Sequence, residues 1–275
     1  MKDTVYSLEG KKVLFIGNSF TYTGGCVSSD NFGTADEGYF FRLASSLGER
    51  PSVTNCTWGG ASLHRKKGIV AGRSLYERIK SEHPFFYGNA EGAPMDEFYA
   101  QDCVILQQSG DTIAETYDDC KLIIALFPPT TRFAYFVTTH DIHANHHTNV
   151  EAAERLRDSD GGAYIPVGHL VEDLCYKQAI PEGSDVDYTK NTFIYCKEGD
   201  FHHPNRLTGY LTAVCTYCAL TGRSADGADH SFVTPTGMEN YTLGTTNHAE
   251  IIASDCEMNR LKKLAFDYTQ RYNKR

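Results

Sequence analysis

The sequence predicts a three-layer α/β/α sandwich built on a mostly parallel central sheet. Short apolar runs rich in β-branched and aromatic residues alternate along the chain with segments of helical spacing. The first run, "KKVLFIG" (11–17), has no polar alternation over its last five residues, the pattern of a strand covered on both faces. Gly or Pro punctuates most junctions between runs. A β-α-β-α order with right-handed crossovers puts helices on both faces of such a sheet.

The elements follow in order. Strand 11–17 precedes a helix over 39–50, which Pro51 closes. "SVTNCTW" (52–58) is the second strand and ends at Gly59-Gly60. A helix over 72–83 stops before Pro84. "DCVILQQ" (102–108) is the third strand, and the helix over 117–127 stops before Pro128-Pro129. A strand over 132–140, a helix over 149–159 ended by Gly161-Gly162, a strand over 163–169 and a helix over 170–179 come next. "LTGYLTAVCTYCALTG" (207–222) is a mostly apolar helix closed by Gly222. The last helix spans 248–272, with Asn247 as N-cap and Glu250 at capping-box spacing. Stretches 84–101, 180–199 and 223–246 read as long loops. No repeat or low-complexity linker divides the 275 residues, so one domain is expected. A chain of that length buries about three quarters of its unfolded surface and needs no staples.

Composition narrows the function. With 41% hydrophobic and 22% charged residues, the chain reads as an ordinary soluble protein. Its net charge is -9 and its Lys and Arg are scattered, which argues against nucleic acid as a partner; the excess acid serves solubility. No apolar run approaches the ~20 residues of a membrane span. Nine cysteines sit mostly in apolar stretches, such as Cys103, Cys215 and Cys218, where thiols act as small hydrophobes. Cys215-x-x-Cys218 has no second such pair, so no structural zinc site is signalled. Reduced thiols suggest a cytoplasmic setting. "MKDTVYSLEGKK" lacks a signal core, and export is the alternative if a leader has been removed.

In open parallel sheets ligands bind beyond the carboxyl ends of the strands, so the residues there carry the functional signal. The first strand ends at Gly17-Asn18-Ser19, the second at Gly59-Gly60-Ala61-Ser62, the third at Gln107-Gln108-Ser109 and the fourth at Thr138-Thr139-His140-Asp141. "GDFHHPNRL" follows much later, with Asp200, His202 and His203 ahead of a helix. Acyl transfer needs a hydroxyl free of the sheet, an imidazole that reaches it, a carboxylate that orients the imidazole, and donors facing the oxyanion. Ser19 supplies the hydroxyl, His202 or His203 the base, and Asp200 the carboxylate. The Gly59-Gly60 turn offers a backbone N–H that no Cβ shields. Gln107 or Gln108 offers an amide; the two project oppositely if the strand runs through both.

This constellation resembles the SGNH hydrolase superfamily, the GDSL-type esterases and lipases, whose sheet is flavodoxin-like. Gly17-Asn18-Ser19-Phe20-Thr21 matches the family's Gly-Asp-Ser block, with Asn18 in place of aspartate. The "GNSF" form is that of a branch described as a domain of unknown function. "DFHH" matches the late Asp-x-x-His block as Asp200 and His203. "GGAS" matches the second block, with Gly60 as its oxyanion donor. The third block, Gly-x-Asn-Asp, is missing; "LQQSGD" stands there and leaves a glutamine to replace the asparagine. The resemblance implies a serine esterase with Ser19, Asp200 and His203 as triad and no cofactor. Its oxyanion hole would be the Ser19 and Gly60 N–H groups with Gln108 or Gln107. Asn18, His140 and His202 are the candidates for touching substrate. Short acyl groups, acetyl above all, on a carbohydrate or other small molecule are the expected substrates.

Two rival readings stand beside it. His140, Asp141, His143, His146 and His147 in "HDIHANHH" are metal-ligand types, so a metal-dependent hydrolase is one. They lack the HExxH pattern, and a polar loop beside the site is the plainer account. The other rival is a non-catalytic glycan-binding module on an esterase scaffold.

Overall fold

A computed structural model describes residues 6–27, 38–63, 74–80, 95–108, 115–176, 182–184, 188, 193, 203–233 and 254–274. Five strands, β1 (Lys12–Gly17), β2 (Ser52–Thr57), β3 (Cys103–Leu106), β4 (Arg132–Phe136) and β5 (Ala163–Ile165), make one sheet. Every pair is parallel and the order is β2-β1-β3-β4-β5. Helices α1 (Ser19–Tyr22) and α2 (Tyr39–Ser46) follow β1. Between β2 and β3 lie α3 (Leu75–Ile79) and α4 (Met95–Tyr99), and α5 (Thr116–Ile124) leads to β4. Next come α6 (Thr139–His143) and α7 (His147–Ser159), then β5, α8 (Val167–Tyr176), α9 (Arg206–Thr221) and α10 (Asp255–Asn273).

The sheet is buried on both sides, as the unbroken apolar run of β1 requires. Val13 pairs in register with Val53 on one side and Cys103 on the other. Val13, Phe15, Cys103, Ile105, Ala134 and Phe136 face the core formed with α2, α8, α9 and α10. Leu14, Ile16, Val104, Leu106 and Tyr135 face the opposite core, shared with α3, α5 and α7. Burying one such side chain stabilises the fold by about 1.5–3 kcal/mol. The result is the three-layer α/β/α arrangement. Among the described residues the cysteines are free thiols, and burial pushes those of Cys56 and Cys103 up to about 11. No helix among the described residues is long and apolar enough to cross a membrane.

Several boundaries differ from the sequence reading, each for a local reason. The strand expected over 132–140 stops at Phe136, because Thr138 starts α6 with a capping box to Asp141. The strand expected over 163–169 stops at Ile165, and the chain turns at Pro166 into α8. Gly168 allows that turn to pack: a Cβ there would lie 2.2 Å from the Thr138 carbonyl oxygen. The last helix begins at Asp255, with Ser254 accepting from the Glu257 N–H at 3.3 Å. Asn247 and Glu250 lie outside the described residues. The loop read over 84–101 contains α4.

Two features position the site. The connection leaving β1 runs to β2 on one side and that leaving β3 runs to β4 on the other, so the two part above the β1 and β3 carboxyl ends, where sheets of this kind hold a crevice. The second is a contact between two glycines. A Cβ on Gly209, in the second turn of α9, would lie 1.9 Å from the Gly24 carbonyl oxygen. A Cβ on Gly24, whose φ is +87°, would lie 2.3 Å from the Asn205 carbonyl oxygen. The loop after α1 therefore rests backbone against backbone on the start of α9. Gly209→Ala should lower stability by about 1–3 kcal/mol through overpacking. Urea unfolding followed by circular dichroism should show a lower midpoint at unchanged slope.

Candidate active site

The strand-ending turn is built from side chains that hold one another. At Gly17 a Cβ would lie 2.2 Å from Thr21 Oγ1 and 2.7 Å from Gln107 Oε1, so only glycine fits. Asn18 caps α1: its Oδ1 accepts from the Phe20 N–H at 3.1 Å. Its Nδ2 donates to the Ala61 carbonyl at 3.0 Å. The backbone N–H of Asn18 and the Thr21 hydroxyl both donate to Gln107 Oε1, at 2.9 and 2.7 Å. Ser19, first residue of α1, stands half-buried above this frame.

His203 meets it from the other end of the chain. The His203 Nε2 and the Ser19 Oγ are 2.7 Å apart, across 184 positions of sequence. In the neutral imidazole with its proton on Nδ1, Ser19 donates to Nε2, the arrangement a general base needs. His203 lies two residues ahead of Asn205, the N-cap of α9, whose side chain accepts from the Thr208 N–H at 3.1 Å. The glycine contact described above therefore sets the distance between hydroxyl and imidazole. Asp200 and His202 lie outside the described residues.

The turn after β2 is tied to the same frame. Trp58 N–H donates to the Gly17 carbonyl at 3.0 Å, and Ala61 N–H to the Trp58 carbonyl at 2.9 Å. Gly60 takes φ +69°, a left-handed conformation that glycine adopts without strain. The N–H groups of Ser19 and Gly60 donate to nothing among the described residues.

The two glutamines, read in the sequence as oxyanion donors, hold the site from below. Both are fully buried. Gln107 supports the Ser19 turn through Oε1, while its Nε2 donates to nothing among the described residues. Gln108 lies on the opposite face of the sheet. It accepts from the Leu63 N–H at 2.8 Å and donates to Thr116 Oγ1 at 3.2 Å. Thr116 donates to Asn149 Oδ1 at 3.0 Å, and Asn149 Nδ2 to Asp141 Oδ1 at 2.9 Å. Asp141 Oδ2 accepts from the Thr138 N–H at 2.8 Å. A buried hydrogen-bonded chain thus joins the loop after β2 to the loop after β4. One of the two Gln108 amide N–H groups is thus taken by Thr116, on the face of the sheet away from the Ser19 turn. Thr116 and Asn149 had no sequence signal; Asp141, three residues after Thr138, had capping-box spacing.

The other sequence candidates are placed as follows. Asn18, expected to touch substrate, is 1% exposed and has both side-chain ends bonded to the protein, so it positions the turn instead. His140 is on α6, stacked on the Phe20 ring at 5.5 Å. The metal-ligand types around it do not converge. Asp141 serves the buried chain, His143 stacks on Tyr176 with Nδ1 3.6 Å from Glu172, and His146 packs edge-on to His140 at 4.8 Å. Among the described residues no group of three or more His, Cys, Asp or Glu is arranged to hold a metal ion. Phe20 and Pro204, the residues that follow Ser19 and His203, help line a mostly apolar recess between α1, the β4 end and α9 with room for about one water molecule.

Replacing Asn149 by leucine removes the bonds to Thr116 and Asp141 and leaves a buried carboxylate oxygen short of a donor. Asn149→Leu should cost about 1–3 kcal/mol of stability in urea unfolding.

No protein-family model matches the chain, and no curated protein matches it by sequence. Its coordinates are similar to those of a DUF4886 family protein from Bacteroides uniformis, with TM-score 0.54, 16% identity and 97% of each chain covered. A GDSL-like lipase from Parabacteroides merdae matches with TM-score 0.48 and 15% identity over 79% of this chain and 98% of the other. The catalytic domain of peptidoglycan O-acetyltransferase A from Streptococcus pneumoniae matches with TM-score 0.42 and 11% identity over 78% and 94%. The chain shares the fold of the DUF4886 family protein, with its own five-stranded parallel sheet between two layers of helices.

Proposed function

We propose that the protein is a serine esterase that cleaves short acyl esters by acyl transfer. One observation carries the reading: the 2.7 Å contact between Ser19 Oγ and His203 Nε2 at the carboxyl edge of the parallel sheet. A hydroxyl and an imidazole from distant parts of the chain meet beside the Ser19 and Gly60 N–H groups, which donate to nothing among the described residues, an arrangement acyl transfer uses.

In this mechanism His203 Nε2 takes the Ser19 proton as Oγ attacks the ester carbonyl carbon. The carbonyl oxygen becomes an oxyanion held by the Ser19 and Gly60 N–H groups. Gln107 Nε2 is assigned as the third donor: its Oε1 holds the Ser19 turn, and the Nε2 donates to nothing among the described residues. A single such donor contributes about 2.7–4 kcal/mol to lowering the barrier. The tetrahedral intermediate collapses, the C–O bond to the alcohol breaks, and His203 protonates the departing oxygen. Water then attacks the acyl-serine with His203 again as base, releasing the acid and restoring Ser19. Asp200, three residues ahead of His203, is assigned the carboxylate that accepts from Nδ1–H and stabilises the imidazolium. An acylated carbohydrate or other small alcohol is the substrate class.

Wild-type protein should hydrolyse p-nitrophenyl acetate and react with a fluorophosphonate probe. Ser19→Ala should lose both, with turnover falling at least about 10³-fold. Full turnover by Ser19→Ala overturns the reading. A wild-type chain that binds glycans yet never takes the probe would instead be a non-catalytic module.

A further inference from the structure

The base has a second anchor, which neither the motif nor the triad assigns. Phe20, the residue after the nucleophile, stacks on the His203 ring with centroids 4.9 Å apart and planes 29° from parallel. We propose that Phe20 is the positioning residue that holds the His203 imidazole in line with Ser19. This inference rests on the serine-esterase reading and assigns a role inside it.

The argument starts from the freedom of a histidine side chain. Rotation about the bond joining ring to Cβ is broad, and hydrogen bonds at the ring nitrogens lie in the ring plane, so packing against its faces governs how far the ring rocks. His203 precedes Pro204, whose fixed φ restrains the backbone but not the ring. A flat ring against one face stops the rocking, because rotation drives the imidazole edge into the neighbouring π surface.

Phe20 is well placed to do this, because it is itself immobile. It is 7% exposed, and its N–H is bonded to Asn18 Oδ1. Its ring also stacks on His140 at 5.5 Å and 19°, and His140 packs against His146. One short backbone segment therefore carries both the attacking hydroxyl and the restraint on the group that deprotonates it. Any shift of α1 moves the two together, so their alignment survives small motions of the loop.

Phe20→Met and Phe20→Leu remove the flat ring while keeping an apolar side chain. Active sites are counted by fluorophosphonate labelling to completion, and kcat, KM and labelling rate are then measured per active site. The expected result is a fall of about tenfold in kcat and in labelling rate for both variants, with KM within about twofold of wild type. Phe20→Tyr, which restores a flat ring, should recover most of the loss. A kcat per labelled site within twofold of wild type in either folded variant, or no recovery by Phe20→Tyr, overturns the assignment. Should both aliphatic variants fail to fold, His140→Leu, which removes the support behind Phe20, must lower the labelling rate or the assignment falls. Ser19→Ala run in parallel separates the outcomes. Its inactivity beside an unimpaired Phe20→Leu removes only the role of Phe20, while its full activity removes the esterase reading itself.

Discussion

Gly24 and Gly209 touch through their backbones, and the rest of the site depends on that approach. Ser19 is fixed to the sheet through Gly17, Asn18 and Gln107; His203 is fixed to α9 through Asn205. Nothing in the local sequence of either segment refers to the other. They meet because Gly24 and Gly209, at the point of contact, lack the side chains that would hold the two segments apart. Overpacking at such a contact is relieved by moving backbone, since protein interiors have little void to absorb a methyl group. A hydrogen bond such as Ser19–His203 tolerates a few tenths of an ångström of displacement before its geometry degrades.

The glutamine pair shows how a strand serves both sides of a sheet at once. Successive side chains point to opposite faces. Gln107 secures the nucleophile turn on one face, and Gln108 secures the Leu63 loop on the other. Two adjacent amides at the end of β3 thus align two loops that arrive from different strands. The polar chain through Thr116, Asn149 and Asp141 extends the support to the β4 end. Buried and bonded end to end, it resists distortion, because its links lie where the surroundings are slow to replace a lost hydrogen bond.

Much of this was legible in the sequence, and the remainder has physical reasons for being hidden. The apolar run of β1 and its halt at Gly17 followed from periodicity and sterics, and so did α9 with its Gly222 stop at φ +73°. Ser19 and His203 stood out because both residue types fall at element boundaries in a pattern chemistry recognises. The glutamines were visible as polar residues at a strand end, but whether an amide faces a substrate or a neighbouring loop depends on what lies across from it. The histidines of 140–147 matched metal ligands by composition; among the described residues they join no group of three that could hold an ion, because ring stacking and helix ends take them instead. Phe20 entered only as part of the Gly17–Thr21 block, since an aromatic residue gives no sign in sequence of which ring it will cover.

The order of synthesis gives the long separation within the Ser19–His203 contact a further meaning. The nucleophile turn leaves the ribosome with the first strand, and β2 and β3 join it as they emerge. The imidazole arrives only after most of the sheet has been made, and α9 seats only when its helical partners exist to cover it. For most of its time on the ribosome, the growing polypeptide carries an alcohol no more reactive than any surface serine.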